Sequence, residues 1–286
     1  MVTLKEILAR ASKEHWAVPH FNVSNLEMFR AVVEAAWYKK SPVLIGTSEG
    51  ERDFIGLNQA VALIHSYREQ YQLPFYLNAD HTHSVEAAKK AIDAGYDSIH
   101  IDLSKLSIDE NIKGTREIVE YARSKNSAIS VEGEIGYIVT DSSKIYESVV
   151  EVPPESLARP EEAERFVKET GVDRLAPAVG SIHGIAANKP HLDFSRIERI
   201  RGVVPVVALV LHGGSGESDE QIKMAIEKGI ANVHVSTDLR VAYVDALKKE
   251  LAKNEYAPYK ITGPALEAAK TVVAFNIDLF GSAGKV

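Results

Sequence analysis

Eight short apolar runs rich in β-branched residues recur along the chain, and stretches with helical spacing separate them. The runs cover 18–22, 43–47, 75–79, 98–102, 128–132, 174–179, 206–211 and 232–236. Between them, 25–39, 58–69, 85–94, 110–125, 160–170, 194–200 and 219–228 place apolar residues three and four apart, which gives a helix one buried face. Ser24, Ser84, Asp109 and Ser218 stand where N-caps belong. Gly95, Gly171 and Gly229 stand where a helix ends before the next strand. Eight strand–helix alternations in 286 residues predict an α/β fold of the (β/α)8 barrel type. A doubly wound open sheet is the alternative, but no Gly-x-Gly-x-x-Gly follows the first strand. No Pro/Gly-rich linker divides the chain, so residues 1–286 are expected to form one domain. The long polar segment 136–160 reads as a loop or flap over the barrel mouth. From Lys260 the chain reads as a further helix ending in a mobile Gly-Ser-Ala-Gly stretch.

The formal charge of −7 argues against nucleic acid or an anionic membrane as partner. No apolar run approaches the ~20 residues a bilayer span requires. The amphipathic, partly acidic start MVTLKEILARASKEHW resembles neither a secretory signal nor a transit peptide, and a cytoplasmic location is expected. Cysteine is absent, so disulfides, thiolate nucleophiles and sulfur ligands are excluded together. A metal site in this chain must use imidazole and oxygen, and ten histidines are available.

In such a barrel, functional groups sit at the C-terminal ends of the strands. The stretch LNADHTHSVEAA (77–88) ends an apolar run in Asp80, His81 and His83. His183 follows the sixth run and His212 the seventh, while Glu134 lies just after the fifth. Three imidazoles and a carboxylate from separate strands make an N/O set suited to Zn2+. Glu132 shares a strand face with Glu134, so the fourth ligand stays open. In LHGGSGESDEQI (211–222), Gly213, Gly214, Ser215 and Gly216 precede a helix, a pattern that brings backbone N–H groups to an anion. Ser236 and Thr237 end the eighth run beside it, where these barrels bind phosphate. A cation next to a phosphate anchor fits chemistry on a phosphorylated ketose. Asp80 is then an acid/base group or a carboxylate that orients an imidazole.

At these residues the sequence resembles the class II, metal-dependent fructose-bisphosphate aldolases and their tagatose-bisphosphate relatives, almost from end to end. The resemblance is carried by VPHFNVSNLE (18–27), SPVLIGTSEG (41–50), ADH (79–81), VEGEIG (131–136), SIHG (181–184), LHGGSG (211–216) and VHVSTDLR (233–240). It implies that His81, His183 and His212 hold zinc, with Glu134 as an alternate or nearby contact. It implies that Asp80 exchanges a proton with the C4 hydroxyl of a ketose 1,6-bisphosphate, fructose 1,6-bisphosphate first. Cleavage of the C3–C4 bond would give dihydroxyacetone phosphate and an aldehyde such as glyceraldehyde 3-phosphate. Gly184, Gly213, Ser215 and Thr237 would hold the C1 phosphate, Asn22 and Ser48 would face substrate, and a monovalent cation (Na+ or K+) would sit near Gly184 and Gly213. A homodimer or homotetramer is implied, with a basic residue lent to the distal phosphate across an interface.

Lysine-dependent aldolases use an imine instead, but no lysine occupies the sixth run, and Lys105 and Lys144 follow the fourth and fifth. Two departures stand out. Where the family carries a glycine-pair-plus-acid loop, this chain reads YIVTDSSKIYESVVEV, with Asp141 nearest the expected C3 acid/base and Glu147 and Glu151 further on. The family's asparagine in the eighth strand is His234, which bears on substrate choice. By strand parity His20 and His100 point into the barrel as hydrogen-bonded interior groups. The alternatives to an aldolase are a metal-dependent hydrolase or epimerase on a phosphosugar, and a non-catalytic phosphosugar-binding relative.

Overall fold

A computed structural model describes residues 2–188 and 191–286. Eight parallel strands close into a barrel: β1 (Val18–Asn22), β2 (Val43–Thr47), β3 (Phe75–Thr82), β4 (Ser98–Ile101), β5 (Ser130–Ile135), β7 (Arg174–Pro177), β9 (Ala208–Leu211) and β10 (Ile230–Val235). Two further strands of two residues each, β6 (Ile145–Tyr146) and β8 (Ile185–Ala186), pair with each other outside the barrel. The barrel follows chain order, and β10 pairs with β1 to remove the last edge. The expected (β/α)8 architecture is therefore what the chain adopts.

Around the barrel run α2 (Leu26–Lys39), α3 (Glu49–Ile55), α4 (Leu57–Tyr71), α5 (Val85–Ala94), α6 (Ile108–Lys125), α7 (Pro160–Thr170), α8 (Phe194–Val203), α9 (Asp219–Glu227), α10 (Thr237–Leu251) and α11 (Pro258–Leu279). Their apolar faces meet the outward side chains of the strands in one core that includes Phe21, Ile45, Leu77, Ile99, Val131, Leu175, Leu209 and Val233. The alternate residues point into the barrel. At its N-terminal end, Val18, Leu44, Tyr76 and Ala208 pack against Leu4, Ile7 and Leu8 of α1 (Leu4–Glu14), which plugs the floor. Above that apolar layer the interior turns polar: Asn78, Ser98, Glu132, Arg174 and Asn232 are all buried without exposure. Arg174 Nη1 pairs with Glu132 Oε2 at 2.7 Å and donates to Asn232 Oδ1 at 3.1 Å, and Nη2 reaches Asn78 Oδ1 at 3.1 Å. A guanidinium so buried is tolerable because both of its terminal nitrogens are met, while Nε stays without a partner among the described residues.

Several boundaries differ from the sequence reading, among them the N-caps of α2 and α6, which are Asn25 and Ser107 and not Ser24 and Asp109. β5 starts at Ser130, because Asn126 turns the chain by accepting from Ala128 N through its side chain and from Ile129 N through its carbonyl. Glu134 therefore lies inside the strand, not after it. β9 starts at Ala208, since Val206 is 92% exposed. β3 runs on through Asp80 and His81 to Thr82. The final glycine-rich stretch is docked: Ser282 is buried, its hydroxyl 3.0 Å from Ser41 Oγ, and Gly284 N donates to Lys39 O.

Candidate active site at the barrel mouth

A register shift builds the centre of the site. Between β3 and β4, Ala79 pairs with Ile99 but Thr82 with Ile101, so Asp80 and His81 fill a bulge one residue too long for its partner. His81 has φ +40, a left-handed conformation that a histidine adopts only when its surroundings hold it there. Successive side chains can thus both face the mouth. His81 Nδ1 lies 2.9 Å from Asp102 Oδ2, which leaves Nε2 for another partner. Burial works against a charge on this ring, but Asp80 and then Asp102 outweigh it and raise its pKa to about 10.

Three more imidazoles gather on it. The ring of His183 is centred 4.9 Å from that of His81, and His212 is centred 4.8 Å from His81 and 6.0 Å from His183. His212 Nε2 lies 2.7 Å from Glu132 Oε1, so Nδ1 is the nitrogen it can offer. Burial, and then the neighbouring His81, drive His183 down to about 3. His100 completes the group from β4, its ring 4.7 Å from those of both His81 and His212. One donor atom from each of Asp80, His81, His100 and His212 lies within 4.8 Å of the others, and so does one from each of His81, His100, Asp102 and Glu134. His183 stands beside these sets rather than inside them. His100, read from sequence as a satisfied interior residue, is fully buried with Nε2 unpartnered.

Asp80 is 2% exposed. Its Oδ2 accepts from Asn22 Nδ2 at 2.9 Å, while Oδ1 has no aligned partner and lies 3.5 Å from both His100 Nδ1 and His234 Nδ1. Burial raises the pKa of this carboxyl, but His81 and the other imidazoles outweigh it and hold it well below the usual range. Glu134 goes the other way: burial, with Asp102 adding to it, pushes it up to about 8. His234 lies flat on His20, ring centres 3.6 Å apart, in space that Gly46 leaves open. A Cβ on Gly46 would stand 2.2 Å from His20 Cε1. Asn232 fixes the tautomer of His234, because its Nδ2 donates to Val18 O and its Oδ1 faces Nε2 at 3.2 Å.

The glycine turn closes one side. Gly213 has φ +70 and packs so tightly on Ile182 O that a Cβ would approach to 2.1 Å. Ser215 Oγ accepts from Ser236 N at 3.1 Å and Asp238 N at 3.2 Å, which fastens the turn to the start of α10. The helix N-terminus in the cleft is therefore that of α10, at Ser236 and Thr237, and not that of α9 as the sequence order implies. Asn22, Ser48, Gly184, Gly213, Ser215, His234, Ser236 and Thr237 line one cleft with Asp80, His81, His183 and His212. Gly214 lies behind the turn, its N–H bonded to His234 O, and Glu134 lies beneath the cleft.

Asp141 is elsewhere. Its carboxylate is exposed and paired with Lys144 Nζ at 2.6 Å, which also lowers its pKa. The flap is stapled beside His183 by the β6–β8 ladder and by Thr140 Oγ1 donating to His183 O. It presents Ser142 to the cleft instead. Sequence reasoning also missed Glu51 and Arg240. Glu51 Oε2 accepts from Ser48 N, Ser48 Oγ and Asn22 Nδ2, while Oε1 meets Arg240 Nη2 at 2.5 Å. The Ser-x-x-Glu spacing of a capping box marked Glu51 in advance. Arg240 had no such signal.

The sequence model of the family described as "Fructose-bisphosphate aldolase class-II" matches residues 2–285. The chain belongs to the class II fructose-bisphosphate aldolase family. Members of this family are carbon–carbon lyases. Among curated aldolases of the family, the fructose-bisphosphate aldolase of Geobacillus stearothermophilus is 39% identical over 100% of this chain and 98% of its own. The 6-phospho-5-dehydro-2-deoxy-D-gluconate aldolase of Bacillus velezensis is 37% identical over 99% and 97%. The crystal structure of the YdjI aldolase from Escherichia coli superposes with a TM-score of 0.83 at 32% identity, covering 99% of this chain and 98% of that one. Among the described residues, no helix of this aldolase-family chain is long and apolar enough to cross a membrane.

Proposed function

We propose that the chain is a zinc-dependent aldolase that reversibly cleaves a phosphorylated ketose, with fructose 1,6-bisphosphate as the first choice. The observation that carries this reading is the meeting of His81, His183 and His212 around Asp80, within the same cleft as the Gly213–Thr237 cradle. The donor set fits a divalent cation of imidazole preference: His81 and His212 are each oriented by a carboxylate that leaves the other nitrogen bare. His81, His183 and His212 would hold the ion, with Glu134 below it. A bound cation would supply Lewis-acid polarisation of the ketose C2 carbonyl and a sink for enediolate charge.

The protein's own groups do the rest. Gly184, Gly213, Ser215, Ser236 and Thr237 would take the C1 phosphate, and Gly214 shapes the turn. Ser48 and Asn22 would border the substrate, and His234, in the same cleft, would face its ketose end. Asp80 accepts the C4 hydroxyl proton as the C3–C4 bond breaks, C4 becomes an aldehyde, and the bonding pair stays on C3. Protonation at C3 then gives dihydroxyacetone phosphate. Asp141 is our candidate for that second acid, and its use requires the Lys144 pair to open and the flap to turn inward. An Asp141→Asn variant with undiminished exchange of the dihydroxyacetone phosphate C3 proton would remove it.

One observation favours a narrower substrate. Among the described residues, Arg240 is the permanently charged side chain lining the cleft, and Glu51 already neutralises it. A distal phosphate then needs a cation from outside this described lining, such as one from a partner subunit, or the substrate carries a single phosphate, as the name of the Bacillus velezensis relative specifies for that protein. The deciding experiment is a coupled triose assay on fructose, tagatose and sedoheptulose bisphosphates and on a ketose monophosphate, with and without chelator. Triose release that is lost on chelation and restored by Zn2+ is expected. Full activity after verified metal removal, or phosphate or an epimer in place of triose, would overturn the proposal.

A further inference from the structure

Arg174 stands at the start of β7, in the polar layer beneath the mouth, and its side chain is shut off from solvent. A guanidinium carries only donors and keeps its protons, so every atom that its terminal nitrogens meet must accept. That one-sided chemistry fixes the direction of the hydrogen bonds that lead away from it. Three such paths run from Arg174 to an imidazole.

The first goes through Glu132. Nη1 lies 2.7 Å from Oε2, and the other carboxylate oxygen, Oε1, is 2.7 Å from His212 Nε2. A carboxylate held against a permanent cation accepts, so the proton of His212 sits on Nε2 and the lone pair on Nδ1. The second goes through Asn232. Nη1 donates to its Oδ1 at 3.1 Å while its Nδ2 donates to Val18 O, and these two contacts leave one orientation of the amide. Its Oδ1 is 3.2 Å from His234 Nε2, which must then carry the proton. Consistent with a bare lone pair, His234 Nδ1 makes no hydrogen bond to Asp80 Oδ1, 3.5 Å away. The third goes through Asn78. Its Oδ1 receives Nη2 at 3.1 Å and Ser98 Oγ at 2.7 Å, which turns Nδ2 toward His20 Nε2 at 3.1 Å. His20 is thereby the reverse of the other two, an acceptor at Nε2 with its proton on Nδ1.

We propose that Arg174 is a positioning residue that sets the tautomers of His212, His234 and His20 from beneath the site, through Glu132, Asn232 and Asn78. The two rings in the cleft, those of His212 and His234, then both present a bare Nδ1. The tautomer assignment stands without any reaction. Its consequence, a His212 set to hold a cation, rests on the proposed function.

The test is nitrogen NMR of the metal-free full chain, 15N-labelled in the histidine rings, where long-range proton–nitrogen correlations separate protonated from bare ring nitrogens. Wild type is expected to show one tautomer for each ring: protonated Nε2 in His212 and His234, protonated Nδ1 in His20. Arg174→Met, which fills space but has no donor, should let all three rings exchange between tautomers and weaken Zn2+ binding about 10- to 100-fold. His81, tied to Asp102, should keep its wild-type signal and so report an intact fold. Asn232→Leu cuts one path and should release His234 while His212 stays fixed, and it decides the matter should Arg174→Met fail to fold. Wild-type tautomers of all three rings in Arg174→Met, or of His234 in Asn232→Leu, overturn the proposal. Released tautomers with unchanged Zn2+ affinity uphold it and count against His212 as a ligand, hence against the proposed function.

Discussion

Asn22 donates to Asp80 Oδ2 at 2.9 Å and lies 3.2 Å from Glu51 Oε2, so one amide nitrogen spans the proposed proton acceptor and a second carboxylate. That bond occupies the oxygen of Asp80 away from His100 and His234 and leaves Oδ1 to receive a proton. Asp80→Asn is isosteric and keeps the amide contacts, yet it cannot accept the C4 proton. Cleavage should fall about 10²- to 10⁴-fold. Metal content and the melting temperature in the presence of Zn2+ should stay near wild type. A fall accompanied by loss of bound metal would reassign Asp80 as a ligand.

Arg240 links this centre to the flap. Its Nη2 pairs with Glu51 and its Nη1 with Ser143 Oγ, while Ser143 N donates to Thr237 Oγ1 at 3.2 Å. Arg240→Met should therefore loosen 136–160 and leave Glu51 half-satisfied, at a cost on the order of 2 kcal/mol for the lost charged hydrogen bonds. Urea unfolding measures the second effect and the rate of limited proteolysis within the flap the first. KM should rise more than kcat falls, because the phosphate cradle is touched and Asp80 is not. Flap cleavage no faster than in wild type would show that the clasp is held by the β6–β8 ladder alone.

His234 makes substrate choice testable. Its ring fills the space above His20, and Asn232 holds its Nε2 side, so only Nδ1 faces the mouth. His234→Asn restores the family residue with a smaller side chain. The ratio of kcat/KM for bisphosphate over monophosphate ketose should change at least about tenfold, which corresponds to about 1.4 kcal/mol. An unchanged ratio would place selectivity elsewhere, with Ser142 and Arg240 next in line.

What the sequence disclosed and what it hid have physical reasons. Period-two and period-3.6 patterns are local, so all eight strands and most helices were legible, and strand-end position then singled out Asp80, His81, His183 and His212. Register is not local. The bulge at Asp80–His81 depends on pairing with β4. The neighbour of the glycine turn also escaped, because the turn docks on α10 through Ser215 and not on the helix that follows it in sequence. Asp141 looked well placed by count along the chain, but Lys144 three residues on captures its carboxylate. His100 is not legible in this way, since a single interior histidine has no sequence signature of an unmet lone pair.

The same buried cluster fixes the pH response of the stripped protein. His81 is raised to about 10 by Asp80 and Asp102 against burial, and Glu134 to about 8 by burial and Asp102. Both bind protons more tightly folded than unfolded, so their stabilisation is complete below the unfolded values of about 6.5 and 4.5 and is lost as pH rises toward 10 and 8. His183 and His234 behave oppositely. Each is lowered to about 3, by burial first, and then by His81 for His183 and by His212 for His234. Their contribution is present above about 6.5 and is lost as pH falls toward 3. With chelator, the melting temperature should peak at about pH 6.5 and decline on both sides. Saturating Zn2+ replaces the protons on His81 and Glu134, so it should flatten the alkaline limb and release protons on binding. Calorimetric melts at pH 5 to 10 with chelator or Zn2+, and Zn2+ titration in two buffers of different ionisation enthalpy, check both effects. Parallel alkaline limbs with no proton release would show that no ion displaces protons from this cluster.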